Sequence, residues 1–362
     1  AGTAITTGDA NVAVGYTALD ASETASGNTA VGYAALTATT TGDRNTALGQ
    51  SAMAANTTGD RSVGIGFQAL NAQNPSSNAD MYNTAVGYNA GTLITTGGQN
   101  TAIGAASLDA NTTADNNTAV GYASLGANTT GTRNTALGSS AGAAVTTGDD
   151  NTALGFNAGD LITTGSDNTA VGSYSFTTNS TGSKNTAIGY TALGANTTAD
   201  NNTGIGYAAL VANTTGANNV AVGALALDAN TTASNNIGIG LNAAGGTTTG
   251  AGNIAIGTNA LLANTTGATN VAVGIYALNA NTTAAYNTAV GASALTANTT
   301  GASNAGIGYL ALTANTTGAS NVALGLSALG ANTTASNNTG LGHNALLANT
   351  TGAGNVAVGQ AS

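Results

Sequence analysis

Hydrophobic and polar positions recur every seventeen residues along almost the whole chain. The repeating unit is close to Asn-Thr-Ala-Val-Gly-Tyr-x-Ala-Leu-x-Ala-Asn-Thr-Thr-Gly-x-x. It opens at Asn11 and holds its register to Ser62, then restarts at Asn83 after a longer step and continues to Asn355, which gives twenty-one starts. A period this short is too small for an independent domain and is typical of one coil of a solenoid.

The first five positions of the repeat, counted from its opening residue, predict a short strand and a corner. Position 4 is aliphatic in every repeat, position 3 is only Ala or Gly, and position 2 is β-branched except at Ala305. This alternation favours a strand with positions 2 and 4 on one face and position 3 on the other. Position 5 is always Gly, which fits a backbone corner with positive φ or a close approach between coils. The structural residues of the first four repeats are therefore Val14, Val31, Leu48, Ile65, Gly15, Gly32, Gly49 and Gly66.

The second half of the repeat predicts a core and a further strand. Position 9 is usually Leu and position 12 is usually Asn, but Gly91, Gly142 and Gly159 at position 9 are each followed by an aliphatic position 12. We expect the two positions to share one interior space, because close packing conserves core volume. Thr-Thr-Gly at positions 13 to 15 predicts a second strand edge followed by a turn.

These elements predict an all-β, single-domain parallel β-solenoid of the β-roll type over residues 1–362. About twenty-one coils, stacked ~4.8 Å apart, would make an elongated rod on the order of 100 Å long. The opening Asn and the Thr positions should form side-chain ladders. The Ala/Gly stripe at position 3 should be covered, either by the opposite layer of the same coil or by another chain. Residues 71–82, which contain the only proline, Pro75, should form a loop inserted in one coil.

Composition narrows the classes of partner. Charged residues make up 5% of the chain, the net charge is −10, and the last charged side chain is Asp228. Four cations cannot build a phosphate-tracking surface, so we expect no nucleic acid partner. No apolar run reaches the ~20 residues of a membrane helix, so we expect no membrane insertion in this segment. The chain begins and ends within a repeat, as expected for part of a longer array or for ends that continue in another molecule.

Units such as Asn28 to Leu36 and Asn185 to Leu193 resemble the YadA-like head repeats of trimeric autotransporter adhesins. They are also similar to repeats of tail fibres and surface fibres that end in a self-cleaving chaperone. The resemblance implies a parallel β-roll, often a homotrimer, that is exposed on a cell or virion and serves attachment. The units of YadA-type heads are shorter, and no coiled-coil stalk, anchor or chaperone segment is recognisable here, so an end-to-end or lateral filament is an alternative to the trimer.

Position 6 carries the candidate ligand contacts. Rings that follow the Gly corner are expected to form a broken ladder that either stacks on a surface glycan or a matrix protein or packs between chains. No residues are predicted to be catalytic or to bind a cofactor or metal: His343 has no paired carboxylate, and Asp149 and Asp150 are adjacent only in sequence. The ladder residues are Tyr16, Tyr33, Phe67, Tyr88, Tyr122, Phe156, Tyr190, Tyr207 and Tyr309.

The sequence thus predicts a non-enzymatic structural or adhesive fibre segment, located outside the cell or on a cell or virion surface. It is expected to self-associate and to present a repetitive binding surface. Two alternatives stay open. The Thr-rich lines at positions 13 and 14 suit an ice-binding solenoid, and a phage-type tail fibre or spike would bind surface glycans.

Overall fold

The computed structural model describes residues 1–362 and contains strands, turns and bends but no helix. The chain is an all-β parallel β-solenoid of about 20 turns with a repeat of about 17 residues, which confirms the predicted fold class. It divides into two compact units, Ala1–Ser183 (unit 1) and Lys184–Ser362 (unit 2).

Unit 1 has one three-residue strand in each coil and two further short strands around residues 59–80. The strands are β1 (Val12–Val14), β2 (Thr29–Val31), β3 (Thr46–Leu48), β4 (Gly59–Asp60), β5 (Val63–Ile65), β6 (Ala79–Asp80), β7 (Thr84–Val86), β8 (Thr101–Ile103), β9 (Thr118–Val120), β10 (Thr135–Leu137), β11 (Thr152–Leu154) and β12 (Thr169–Val171).

Unit 2 repeats the same plan without interruption. Its strands are β13 (Thr186–Ile188), β14 (Thr203–Ile205), β15 (Val220–Val222), β16 (Ile237–Ile239), β17 (Ile254–Ile256), β18 (Val271–Val273), β19 (Thr288–Val290), β20 (Ala305–Ile307), β21 (Val322–Leu324), β22 (Thr339–Leu341) and β23 (Val356–Val358).

Within each unit, a three-residue strand pairs in parallel with the equivalent strand of the next coil, and like positions face each other. Thr118 pairs with Thr135 and Ala119 with Ala136, for example. A shift of one residue would exchange the inner and outer side chains, so the alternation of residue types fixes this register.

The position-3 stripe faces the interior, and positions 2 and 4 face outward. Ala30 and Ala47 are fully buried, whereas Leu48 is 46% exposed. A Cβ added to Gly64 would lie 2.9 Å from the Cγ atom of Met53, the position-9 residue of the preceding coil. The predicted two-faced strand is confirmed. The Ala/Gly stripe at position 3 is covered by other residues of the solenoid itself, which was one of the two expected covers.

Asparagine side chains at position 1 form a buried ladder between coils. The Oδ1 atom of Asn117 accepts a hydrogen bond from the backbone N–H of Asn134 at 2.9 Å, and its Nδ2 atom donates to the carbonyl of Gly131 at 2.9 Å. In most coils the side chain thus satisfies one backbone donor and one backbone acceptor that no strand pairs, although the Nδ2 atom of Asn287 has no partner. The predicted asparagine ladder is confirmed.

A second set of buried asparagines occupies position 12 of most coils. Asn213 donates from Nδ2 to the Gly216 carbonyl at 2.9 Å and to Oδ1 of Asn196, one coil away, at 3.0 Å. The position-12 side chains therefore close the turn at positions 13 to 15 and also link neighbouring coils.

The glycine at position 5 makes a corner that no other residue fits. Its φ angle lies between 120° and 144° in all coils. A Cβ on Gly223 would lie 2.5 Å from the carbonyl oxygen of Gly240 in the next coil. Both reasons considered for this glycine, positive φ and close approach of coils, therefore apply.

Positions 9 and 12 share interior volume, as expected. Where position 9 is Gly91 or Gly159, the Cδ1 atom of Ile94 or Ile162 lies 2.9 or 3.0 Å from the place a Cβ would occupy. Both isoleucines are fully buried. The interior volume is thus conserved when the leucine is absent.

The prediction of a second strand edge at positions 13 to 15 is wrong for nearly every coil, because the chain bends there. The backbone N–H groups of Thr40, Thr41 and Gly42 all converge on the carbonyl of Thr57 at 3.0 to 3.2 Å, instead of forming a ladder. The exception is β4, which pairs in parallel with β6. Strand β6 lies within residues 71–82, the segment that was expected to be a loop.

We predict that Asn270→Ala destabilises unit 2 by about 1–3 kcal/mol, because it leaves the buried backbone N–H of Asn287 without a partner. The carbonyl of Ala284 loses one of its two side-chain donors and keeps Nδ2 of Asn281. Asn279→Ala, which removes a half-buried side chain with one hydrogen bond, should cost less than about 1 kcal/mol. Urea unfolding followed by circular dichroism measures both. Equal losses for the two variants would contradict the role of the ladder.

Candidate functional site

Two exposed features run along each unit: a sheet face and a column of rings. We call the position-2 and position-4 side chains of the three-residue strands the outward face, and the position-6 side chains the aromatic column. The corner glycine separates them in sequence, and the in-register stacking of coils keeps each feature in line.

The outward face of unit 2 is apolar over four successive strands. β15 to β18 carry Val or Ile at both outward positions, and Ile239 and Ile256 are 38% and 37% exposed. No charged residue follows Asp228. Four strands at ~4.8 Å spacing, with a face about 10 Å wide, present roughly 200 Å² of apolar surface. Position 4 is aliphatic in all eleven three-residue strands of unit 2, so a narrower apolar line extends beyond this stretch. Contiguous exposed apolar surface of this kind is a candidate interaction site.

The outward face of unit 1 is more polar. Eight of its ten three-residue strands carry Thr at position 2, and all carry an aliphatic residue at position 4. The four position-4 residues named from the sequence, Val14, Val31, Leu48 and Ile65, belong to this face and not to the interior. Val14 and Leu48 are 57% and 46% exposed, and the other two are half-buried.

Within each unit the predicted ladder residues lie in line, but only some of their rings meet. Tyr16 stacks on Tyr33 with centroids 5.6 Å apart, and Tyr190 on Tyr207 at 5.9 Å. Phe67 stacks on Tyr88 at 5.2 Å. Phe156 instead meets Tyr174, a position-7 residue, edge to face at 5.4 Å. The sequence analysis did not include Tyr174. It could have been found because it lies at position 7 of the coil that follows Phe156, one position beyond the aromatic column.

The threonines at position 13 donate their hydroxyls to backbone carbonyls of the next coil. Thr95 donates from Oγ1 to the carbonyl of Thr112 at 3.0 Å, and Thr265 does the same to Thr282 at 3.0 Å. Position 14 is exposed, as at Thr96 and Thr266. Both threonine columns therefore reach solvent, but the position-13 hydroxyls are already engaged with backbone carbonyls.

The acidic residues are dispersed and structural. Arg133 holds Asp150 with two hydrogen bonds of 2.7 and 2.8 Å, which lowers the pKa of that carboxyl. Asp149 accepts from the backbone N–H and the hydroxyl of Thr132 at 2.7 and 2.9 Å. His343 lies exposed at position 6. The structure brings together no group of three His, Cys, Asp or Glu side chains in a metal-binding arrangement.

The insertion forms a polar cluster beside a shallow cavity. Arg61 pairs with Asp80, and its guanidinium also lies 5.8 Å from the ring centre of Tyr82. A cavity of about 320 Å³ opens next to it, lined in part by Asp80, Gln99 and Asp115. Asp115 already accepts a hydrogen bond from the backbone N–H of Gly98 at 2.7 Å. The cluster fixes the inserted segment to the coils on either side.

No protein-family model matches the chain, and no curated protein matches it. No helix long and apolar enough to cross a membrane occurs in the structure.

We predict that acid stabilises unit 2 slightly through Asp228. Burial raises the pKa of this carboxyl above its ordinary value of 3.8, so the folded state binds a proton more readily than the unfolded state. Stability should therefore rise as the pH falls from the raised pKa towards 3.8, and it should be lost again as the pH increases through the raised pKa.

Urea midpoints of wild type and Asp228→Asn, measured from pH 7 to pH 3, check this expectation. The variant should be the more stable protein near neutral pH and should lack this part of the pH dependence. A wild type that loses stability continuously over the same range, in parallel with the variant, would contradict it.

Proposed function

We propose that this chain is a structural and adhesive segment of an extracellular, cell-surface or virion-surface fibre, and that it self-associates through its outward face. The observation that carries the proposal is the apolar surface of β15 to β18 in a unit with almost no charge. The proposal assigns no reaction, cofactor or metal to the chain.

The outward face supports association because nothing within the unit covers it. Position 3 fills the interior, so the aliphatic residues at positions 2 and 4 remain in water unless another molecule covers them. Transfer of apolar surface from water contributes roughly 25 cal/mol per Å². Net charge would keep molecules apart, and unit 2 lacks it after Asp228.

The arrangement of this face fits both forms of self-association that the sequence left open. Strands in exact parallel register form a straight edge of like residues, which a symmetric copy can meet along its length. A homotrimer is the form that the resemblance to YadA-like head repeats implies, and a lateral filament is the alternative.

The backbone plan suits a load-bearing segment. Each three-residue strand between the ends of a unit is hydrogen-bonded to its neighbours in the coils before and after, and asparagine side chains add further links between the same coils. Stability in such arrays comes from the sum of coil-to-coil interfaces, so length is gained by repetition without a large core.

A second candidate function is ice binding, and unit 1 now supplies its best surface. β7 to β12 are six successive strands with outward Thr at position 2 and an outward aliphatic residue at position 4. This uncharged, regular face replaces the position-13 and position-14 lines as the candidate, because the position-13 hydroxyls are engaged with backbone carbonyls.

We predict that the wild-type chain forms oligomers whose population rises with concentration, and that Ile239→Lys with Ile256→Lys prevents this by placing two cations on the outward face. Thr249→Lys with Thr266→Lys adds the same charge at exposed positions off the face and should leave association intact. Sedimentation velocity over a concentration series measures all three proteins.

A wild type that stays monomeric throughout, or three proteins that associate equally, would overturn the proposal. Thermal hysteresis measured on the same wild-type sample separates the second candidate: a clear freezing-point gap with no oligomers would favour ice binding over the fibre.

A further inference from the structure

The aromatic column of unit 1 contains two one-coil gaps that hold only a small side chain. Position 6 is occupied in successive coils by Tyr88, Ala105, Tyr122, Ser139 and Phe156. A large ring therefore alternates with a small side chain over five coils. We call the gap over Ala105, between Tyr88 and Tyr122, the first slot, and the gap over Ser139, between Tyr122 and Phe156, the second slot.

Backbone hydrogen bonds keep the walls of both slots in line. Ala106 donates its N–H to the carbonyl of Tyr88 at 2.9 Å, and Ala123 to that of Ala105 at 3.0 Å. Ser140 and Asn157 continue the series to Tyr122 and Ser139 at 2.9 and 3.1 Å. The position-6 backbones thus stack coil on coil, and rings two coils apart are separated by roughly 10 Å, twice the strand spacing.

The two outer rings, Tyr88 and Phe156, each pack against another ring on the side away from the slot. The shared ring, Tyr122, faces a slot on both sides. Phe67 stacks on Tyr88 at 5.2 Å with 11° between the planes, and Tyr174 packs edge-on against Phe156 at 5.4 Å. Tyr122 has only Ala105 and Ser139 beside it in the column and is 64% exposed. In the stacked pairs a ring of one coil covers the ring of the next, so each slot is the place of one missing ring.

We propose that each slot binds one neutral pyranose ring, such as the terminal sugar of a surface glycan. This deepens the proposed adhesive function, on which it rests, by naming the class of ligand. A pyranose offers C–H groups on its faces to the electron-rich faces of the walls, while its hydroxyls point outward from its edge. The phenol hydroxyls of Tyr88 and Tyr122 and the hydroxyl of Ser139 are hydrogen-bonding groups of the slot residues.

Charge and area decide between this occupant and others. The five slot residues are uncharged and the chain carries a net charge of −10, which disfavours an acidic sugar or a nucleobase on its phosphate backbone. Three half-exposed rings offer roughly 300 Å² for a partner to cover, against about 800 Å² per partner in a stable protein interface. The column is therefore too small to hold a second copy by itself but large enough to cover both faces of a sugar ring.

Two slots two coils apart also suit a branched or clustered glycan. Binding of a single sugar between two aromatic faces is weak, but two linked sugars gain effective concentration when both slots are filled. The third gap of the column, between Tyr33 and Phe67, holds the longer side chain of Gln50 and is not an equivalent slot.

The test fills both slots with tyrosine rings introduced by substitution. Ala105→Tyr with Ser139→Tyr completes the column in the way that Tyr16 and Tyr33 already stack, so the variant should fold. Ala292→Tyr in unit 2 places a ring beside Tyr309 without closing a slot and is the matched control. Methyl β-glucopyranoside and methyl N-acetyl-β-glucosaminide are the probes, with saturation-transfer NMR as the readout and p-cresol as a flat-ring comparator.

We expect saturation transfer from wild type and from Ala292→Tyr to the ring C–H protons of the probes, and binding at least about tenfold weaker in the filled variant. Should the filled variant unfold, Tyr122→Leu removes the shared wall and should cause the same loss. No transfer from wild type, or equal binding by the filled variant, would overturn the proposal. So would binding of p-cresol in place of the sugars.

Sedimentation of the same samples keeps this proposal separate from the proposed fibre. A chain that binds the sugars and stays monomeric contradicts self-association but leaves the slots standing. A chain that forms oligomers but does not bind the sugars supports self-association and contradicts the sugar slots. If filling the slots abolishes oligomers and the sugars do not bind, the column serves a second copy and the sugar proposal is wrong.

Discussion

Buried asparagine side chains are the constraint on which the rest of the structure depends. A coil of seventeen residues encloses little volume, yet its turns carry backbone N–H and C=O groups that no strand pairs, and an unpaired buried group costs about 1–3 kcal/mol. An amide side chain offers a donor and an acceptor together, and position 1 uses both within and between coils. The outer faces are free to vary because these internal bonds hold the coil.

The same internal bonds sustain an unusual backbone. Leucines at position 9, such as Leu36 and Leu193, have φ angles near +50°, a region that costs an L-residue on the order of 1 kcal/mol or more. Leu36 donates its N–H to the carbonyl of Ala52 in the next coil at 3.1 Å while its side chain fills the core. Glycine replaces leucine at this position with the same sign of φ, as at Gly142, and a neighbouring aliphatic residue then supplies the lost volume.

Residue patterns that obey a strict spatial period were predictable from the sequence. The period of seventeen gave the coil, the glycine at position 5 gave the corner, and the exchange between Gly91 and Ile94 gave the shared core. The bend at positions 13 to 15 was not predictable, since Thr-Thr is typical of a strand and only the neighbouring coil reveals that three N–H groups share the Thr57 carbonyl. The left-handed leucines were missed for the same reason, because local preference opposes them and contacts between coils override it.

The candidate site was only half visible in the sequence. The ring positions were evident, but which rings meet depends on side-chain offsets such as that of Tyr174. The small residues at position 3 suggested a face for association, but their size suits the interior, and the aliphatic residues Ile239 and Ile256 lie on the exposed face instead.

Hydrogen exchange of asparagine side-chain amides in unit 2 tests the central claim most directly. The pairs Asn201-Asn202, Asn218-Asn219 and Asn235-Asn236 place an exposed and a buried asparagine side by side. The account predicts that the Nδ2 protons of Asn202, Asn219 and Asn236, which donate to backbone carbonyls at 2.8 to 2.9 Å, exchange far more slowly than those of their neighbours. Equal and rapid exchange within each pair would contradict it.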